Sequence, residues 1–161
     1  MPGEAPADLA ARLALAKAES AAGPGELVIG SDQVAALNGE VLRKPGGHEV
    51  ALRQLLACQG KVVDFHTAAA IVDAESAHVW QTVDHTRVYF AELEAARLEA
   101  YLRAEEPYDC AGSFKAEGLG IALFTRIESN DPTALMGLPL IWVAATLRAA
   151  GLDPLGRSNS R

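Results

Sequence analysis

Apolar positions along the chain follow two periods. Residues 6–22 are rich in alanine, with leucines at 9 and 13, which is the spacing of one helical face in a segment of good intrinsic helix propensity. Gly23, Pro24 and Gly25 stop that helix, and the apolar run 27–29 predicts a short buried strand ending in Gly30, Ser31 and Asp32. A second helix is predicted over 48–58, with Leu52, Leu55 and Leu56 on one face and Gly60 as its C-terminal stop. Residues 62–72 and 79–90 are rich in valine, threonine and aromatics and are joined by the polar turn "DAESAH", a predicted hairpin. A third helix buries Leu98, Tyr101 and Leu102 and is ended by Pro107. The stretch "DCAGSFKAEGLGIALFTRI" holds four small-residue interruptions before a short strand. Asp131 and Pro132 open a final helix with the stripe Leu140, Val143, Ala144 and Leu147, and the tail after Gly151 is polar and frayed.

Helices that alternate with strands and one long hairpin predict an α/β fold with a mixed parallel and antiparallel sheet flanked by helices. One domain over 1–152 with a polar tail over 153–161 accounts for the chain, since 161 residues suit a single core. Half the residues are apolar, which argues against disorder. The net charge of −7 supplies no basic field for a nucleic-acid polymer, so no such partner is expected. No segment approaches the ~20 apolar residues of a membrane span, and the start has no secretory leader. Cys58 and Cys110 lack paired spacing and read as reduced thiols, so the expected location is cytoplasmic.

Few residues stand out for chemistry, and each has a bland alternative. Asp32 follows a buried strand, where open α/β sheets place ligand clefts; it reads either as a base or metal ligand, or as a turn-capping aspartate. Lys44 precedes Pro45 and projects from a rigid turn, suited to a phosphate but equally an ordinary surface lysine. Lys17 follows Leu9 and Leu13 on their helical column, so it either snorkels to the edge or reaches into a cleft. In "AGSFKAEGLG" the glycines allow close backbone approach, and an extended segment would set Ser113, Lys115 and Glu117 on one face; a bulged, solvated strand is the other reading. His66 has no second ligand at metal spacing and reads as a hydrogen-bonded strand histidine. Trp80 and Trp142 read as core.

Together, "SDQV", "KP" twelve residues after Asp32, "GKVVDFHTA", "CAGSFKAEGLGIALF" and "DPTALMGLPL" resemble the Maf family of nucleotide pyrophosphatases. The form "GSF-K-x-EGLG" is similar to the branch acting on 7-methyl-GTP, whereas the branch acting on dTTP and UTP has Asp-Thr at 32–33 and glutamine at 117. The resemblance implies a fold like that of inosine triphosphate pyrophosphatase, hydrolysis of a nucleoside triphosphate to monophosphate and pyrophosphate, and a divalent cation, Mg²⁺ first with Mn²⁺ or Co²⁺ as alternatives. It implies Asp32 as general base and metal ligand, Lys17 and Lys44 as phosphate partners, Gln33 and Glu117 as readers of the base, and a homodimer.

Family members also carry an upstream strand and a Ser-x-Ser-x-Arg-Arg loop that cradles the triphosphate. The resemblance starts after that loop, so an N-terminally truncated domain is expected, with two rival readings: a nucleotide-binding protein without turnover, or an inactive fragment.

Overall fold

The computed structural model describes residues 3–156. Helix α1 (Pro6–Ala21) leads to strand β1 (Leu27–Leu37), strand β2 (Glu40–Leu42), helix α2 (His48–Cys58) and the long hairpin β3 (Val62–Asp73) and β4 (Val79–Phe90). Helix α3 (Ala95–Glu105), strand β5 (Phe124–Glu128) and helix α4 (Leu140–Ala149) follow, with 3-10 turns at Ala111–Ser113, Leu119–Leu123 and Ala134–Met136. The five strands form one sheet in the order β2-β1-β3-β4-β5.

Every paired strand is antiparallel, which corrects the expected mixed sheet. The reason lies in the connections. Strand β2 and the strand β3 reached through α2 run in the same direction, but β1 lies between them, so the crossover never makes a hydrogen-bonded parallel pair.

Strand β1 is far longer than the predicted three residues and runs past Asp32 to Leu37. Gly30, Ser31 and Asp32 have low strand propensity, yet tertiary packing decides here. A Cβ on Gly30 would lie 2.3 Å from the Ala14 carbonyl oxygen, so the glycine lets α1 settle onto the sheet. The contact is sealed by small residues: Ala10, Ala14 and Ala18 of α1 meet Val34, Ala68, Ala70 and Val72. The turn from β1 to β2 is Asn38-Gly39, with φ of 53° and 82°, the left-handed pair that a two-residue hairpin turn requires.

The opposite sheet face carries the larger core, where α2 and α3 cover Val63, Phe65, Val88 and Phe90 with Leu55, Leu98 and Leu102. Phe114 and Phe124 extend that core edge-to-face, with centroids 4.6 Å apart. The result is three layers: α1, the sheet, then α2 with α3.

Helix α4 starts at Leu140, nine residues after the predicted opening at Asp131. Gly137 at φ 111° and Pro139 interrupt the path, and the Asp131 carboxylate instead accepts from the Thr133 and Ile141 backbone amides, tying the loop to the helix start. Trp80 and Trp142 are half-exposed, not core. His66 stacks on His85, its cross-strand partner, with centroids 4.9 Å apart and an interplanar angle of 6°. Of the polar tail, residues 153–156 are exposed and the last five lie outside the described residues.

Candidate active site

Alternation along β1 divides its side chains between two faces. Gly30, Asp32 and Val34 point toward α1, while Ser31, Gln33 and Ala35 point toward the second layer. Strand β2 covers only Ala35–Leu37 of β1, so among the described residues the outer edge over 27–34 has no strand partner. The two-residue turn makes Leu37 and Glu40 a hydrogen-bonded pair, and alternation then aims the backbone groups of Ser31 and Gln33 outward at this open edge.

Lys17 occupies that edge. Its Nζ lies 2.6 Å from Asp32 Oδ1 and 3.0 Å from the Ser31 carbonyl oxygen. One lysine thereby pairs the carboxylate and satisfies an outward-facing carbonyl. Of the two readings left open by the sequence, reaching into the cleft is the one observed. Asp32 lies mid-strand, not at a strand end, so it is not a turn cap.

On the other face, Gln33 is held through its amide nitrogen, which donates toward Thr67 Oγ1 at 2.9 Å and the carbonyls of Ala134 and Leu135 at 3.0 and 3.1 Å. These partners leave its carbonyl oxygen as the group available to accept from a ligand. The Ser31 hydroxyl lies 2.6 Å from the Gly137 carbonyl oxygen and 2.7 Å from that of Ala68. Both side chains fasten the 134–137 loop against β1, where it forms one wall.

The facing wall is the segment after α3. Gly112 at φ 75° and Ser113 at φ 63° turn the chain sharply, sending Phe114 into the core and returning Lys115 to the surface. The Lys115 amide donates to Tyr101 Oη at 3.1 Å, and burial pushes the Tyr101 hydroxyl up to about 12, keeping it protonated. A Cβ on Gly120 would lie 2.3 Å from the Lys115 carbonyl oxygen, so the glycine permits this tight return. The expected single face of Ser113, Lys115 and Glu117 does not form: Ser113 is buried, and only the other two line the cleft.

These segments enclose a cleft of about 290 Å³. Lys17, Asp32, Gln33, Lys44 and Glu117 all line it, brought together from α1, β1, the β2–α2 loop and the segment after α3. Lys115 and Asp109 also face it. Nothing local in the sequence singles out Asp109, and the signal for Lys115 is its alternation with Ser113 and Glu117 between glycines. The Asp109 carboxyl is held below its usual range, first by the Cys110 thiol and then by its own backbone amide, with Lys115 and Lys44 adding to the effect. Burial first, then Asp109, pushes the Cys110 thiol up to about 11, which disfavours the thiolate at neutral pH. The cleft opens into a groove along the open β1 edge, floored by Leu9, Leu13, Val34 and Leu42.

A cavity lined by three lysines and three carboxylates, Asp32 on a rigid strand with Asp109 and Glu117 on the segment after α3, can hold an anionic group against the lysines and move a proton beside it. The family model described as "Maf-like protein" matches residues 2–150. The chain is 51% identical over 156 residues to a 7-methyl-GTP pyrophosphatase of Albidiferax ferrireducens, covering 96% of this chain and 78% of that protein. It is 54% identical over 156 residues to the protein of that name in Bordetella pertussis, covering 96% and 77%. Identity to the Burkholderia lata protein of that name is 55% over 155 residues, covering 92% and 73%. This chain therefore belongs to the Maf-like family.

Proposed function

We propose that the chain hydrolyses 7-methyl-GTP to the monophosphate and pyrophosphate, with Asp32 as general base, Lys17 and Lys44 on the phosphates, and Gln33 and Glu117 on the base. The observation that carries this reading is the convergence of those five side chains, from four separate segments, in one cleft.

Each role follows from the chemistry of its group. Asp32 orients a water and takes its proton as the water oxygen bonds to phosphorus and the bond linking the α- and β-phosphates breaks. The triphosphate competes with Asp32 for the Lys17 ammonium, so substrate entry releases the carboxylate from its ion pair. Lys44 offsets charge gathering on the departing pyrophosphate. Methylation at N7 leaves the guanine ring cationic; the Glu117 carboxylate accepts from the amide edge of that ring and balances its charge. The Gln33 carbonyl oxygen supplies a second acceptor.

A divalent cation, Mg²⁺ with Mn²⁺ or Co²⁺ as alternatives, fits this donor set. Such ions take one or two protein carboxylates when phosphates supply further oxygens. Asp32 Oδ2 has no hydrogen-bond partner among the described residues. No group of three or more His, Cys, Asp or Glu that could hold a metal occurs among those residues; on this reading the ion would be shared with the nucleotide phosphates. When bound, the cation would polarise the phosphoryl oxygens and take up leaving-group charge.

The reading includes a homodimer, supported by exposed apolar side chains at Met136, Leu140 and Ile141. It also includes a cytoplasmic setting without a nucleic-acid polymer as partner; no helix among the described residues is long and apolar enough to cross a membrane. Turnover is favoured over binding alone because the relatives above carry the name of an enzyme. Pyrophosphate release over a panel of methylated and unmethylated nucleotides tests the reading.

A further inference from the structure

One side chain outside the cleft touches both of the loops that form its cationic and base-facing walls. Gln54, half-buried on α2, donates from Nε2 to the Arg43 carbonyl oxygen at 2.8 Å and accepts at Oε1 from the Ser113 hydroxyl at 2.5 Å. A carbonyl only accepts, so the Arg43 contact fixes which end of the amide is nitrogen. We propose that Gln54 is a positioning residue that sets the separation of Lys44 from Glu117 and thereby tunes selectivity for the methylated base, an inference that rests on the functional reading above.

Both attachment points transmit displacement. Arg43 immediately precedes Lys44, and the next residue, Pro45, is buried, so the lysine leaves a stiff turn whose carbonyl Gln54 holds. Ser113 is fully buried with left-handed φ, a conformation that is strained for a non-glycine residue and persists only where its surroundings hold it. The hydroxyl bond to Gln54 and the packing of Phe114 against Phe65 supply that hold. Four residues on from Ser113 comes Glu117. The two loops also run side by side, with the Gly46 amide donating to the Tyr108 carbonyl at 2.9 Å. Lys44 and Glu117 engage opposite ends of the nucleotide, so their separation decides whether the base edge meets the carboxylate when the phosphates are seated. A misplacement of about 1 Å at such a distance is enough to cost ~100-fold in rate.

The test uses the full chain with 7-methyl-GTP and UTP in parallel, and amide hydrogen exchange as a readout independent of turnover. Gln54→Leu is expected to lower the 7-methyl-GTP to UTP ratio of kcat/KM about tenfold, mainly through KM, as for loss of one well-placed hydrogen bond. Exchange should rise in both 43–46 and 111–118. Gln54→Glu keeps the acceptor for Ser113 but cannot donate to Arg43, so its exchange rise should be confined to 43–46. If Gln54→Leu does not fold, Ser113→Gly removes the hydroxyl where glycine adopts the same φ freely, and should raise exchange at 111–118 with loss of selectivity. Equal losses for both substrates, or exchange changes confined to α2, would overturn the proposal. If the unaltered chain releases pyrophosphate from neither nucleotide, the functional reading fails instead, and the exchange pattern alone decides whether Gln54 couples the two loops.

Discussion

Lys17 Nζ lies 2.6 Å from Asp32 Oδ1, an ion pair between a helix and the open edge of a strand. The lysine is 58% exposed and the aspartate 17%, so the cation can exchange partners while the carboxylate stays fixed. Replacing Lys17 with methionine keeps the stem that lies along the helix edge and removes the charge. The expected outcome is a KM for triphosphate raised about tenfold with a smaller change in kcat, as for one charge-assisted contact. An unchanged KM in steady-state kinetics would remove Lys17 from the phosphate site.

Glu117 carries the selectivity argument. Glu117→Gln keeps shape and loses charge, so turnover of 7-methyl-GTP should fall about tenfold or more relative to UTP. Competition between the two nucleotides measures the ratio directly. A ratio equal to that of the unaltered chain defeats the charge argument while leaving Asp32 untouched.

Gly30 is a packing prediction independent of function. A Cβ there would lie 2.3 Å from the Ala14 carbonyl oxygen and 2.5 Å from the Ala18 amide nitrogen, both backbone atoms that cannot rotate away. Gly30→Ala must therefore push α1 off the sheet, at a cost of about 2–3 kcal/mol in urea unfolding. A loss below about 0.5 kcal/mol would show that the helix seat is softer than this contact requires.

The His66 and His85 stack predicts an acid-sensitive sheet. Burial first, then the neighbouring His85, lowers the pKa of His66 from its ordinary 6.5, against a smaller opposing pull from Asp64. A base with a lowered pKa binds fewer protons in the native state than in the unfolded chain just below pH 6.5, so protons favour unfolding there. The contribution of His66 to stability should be constant above that pH and decline as pH falls below it. His66→Gln should flatten the decline in urea midpoints between pH 7 and 5; a slope equal to that of the unaltered chain would contradict this.

Much of this was legible in the sequence for reasons the structure makes plain. Helices α1 and α2 and the β3–β4 hairpin have strong periodicity and clear stops, and they form as read. The length of β1 was not legible, because Gly30 and Asp32 serve helix packing and the cleft instead of strand propensity; the Asn38-Gly39 turn was the available signal of its true end. The antiparallel sheet was hidden because a helical crossover reads as parallel whether or not a strand intervenes. For the cleft, the sequence marked Asp32, Lys44, Lys17, Gln33 and Glu117 through family motifs, and the fold gathers all five. Asp109 and the Gln54 bridge were invisible, since nothing local distinguishes a surface acid or a helical glutamine from its neighbours until the fold supplies their partners.

On the proposed reaction, the carboxylate at position 32 generates the attacking water. Pyrophosphate release from 7-methyl-GTP with Mg²⁺, compared between the unaltered chain and Asp32→Asn of matched stability, measures it most directly. Turnover is expected from the former and a fall of at least ~100-fold in kcat for the latter, the scale of a lost general base. Retention of full activity by Asp32→Asn would contradict it.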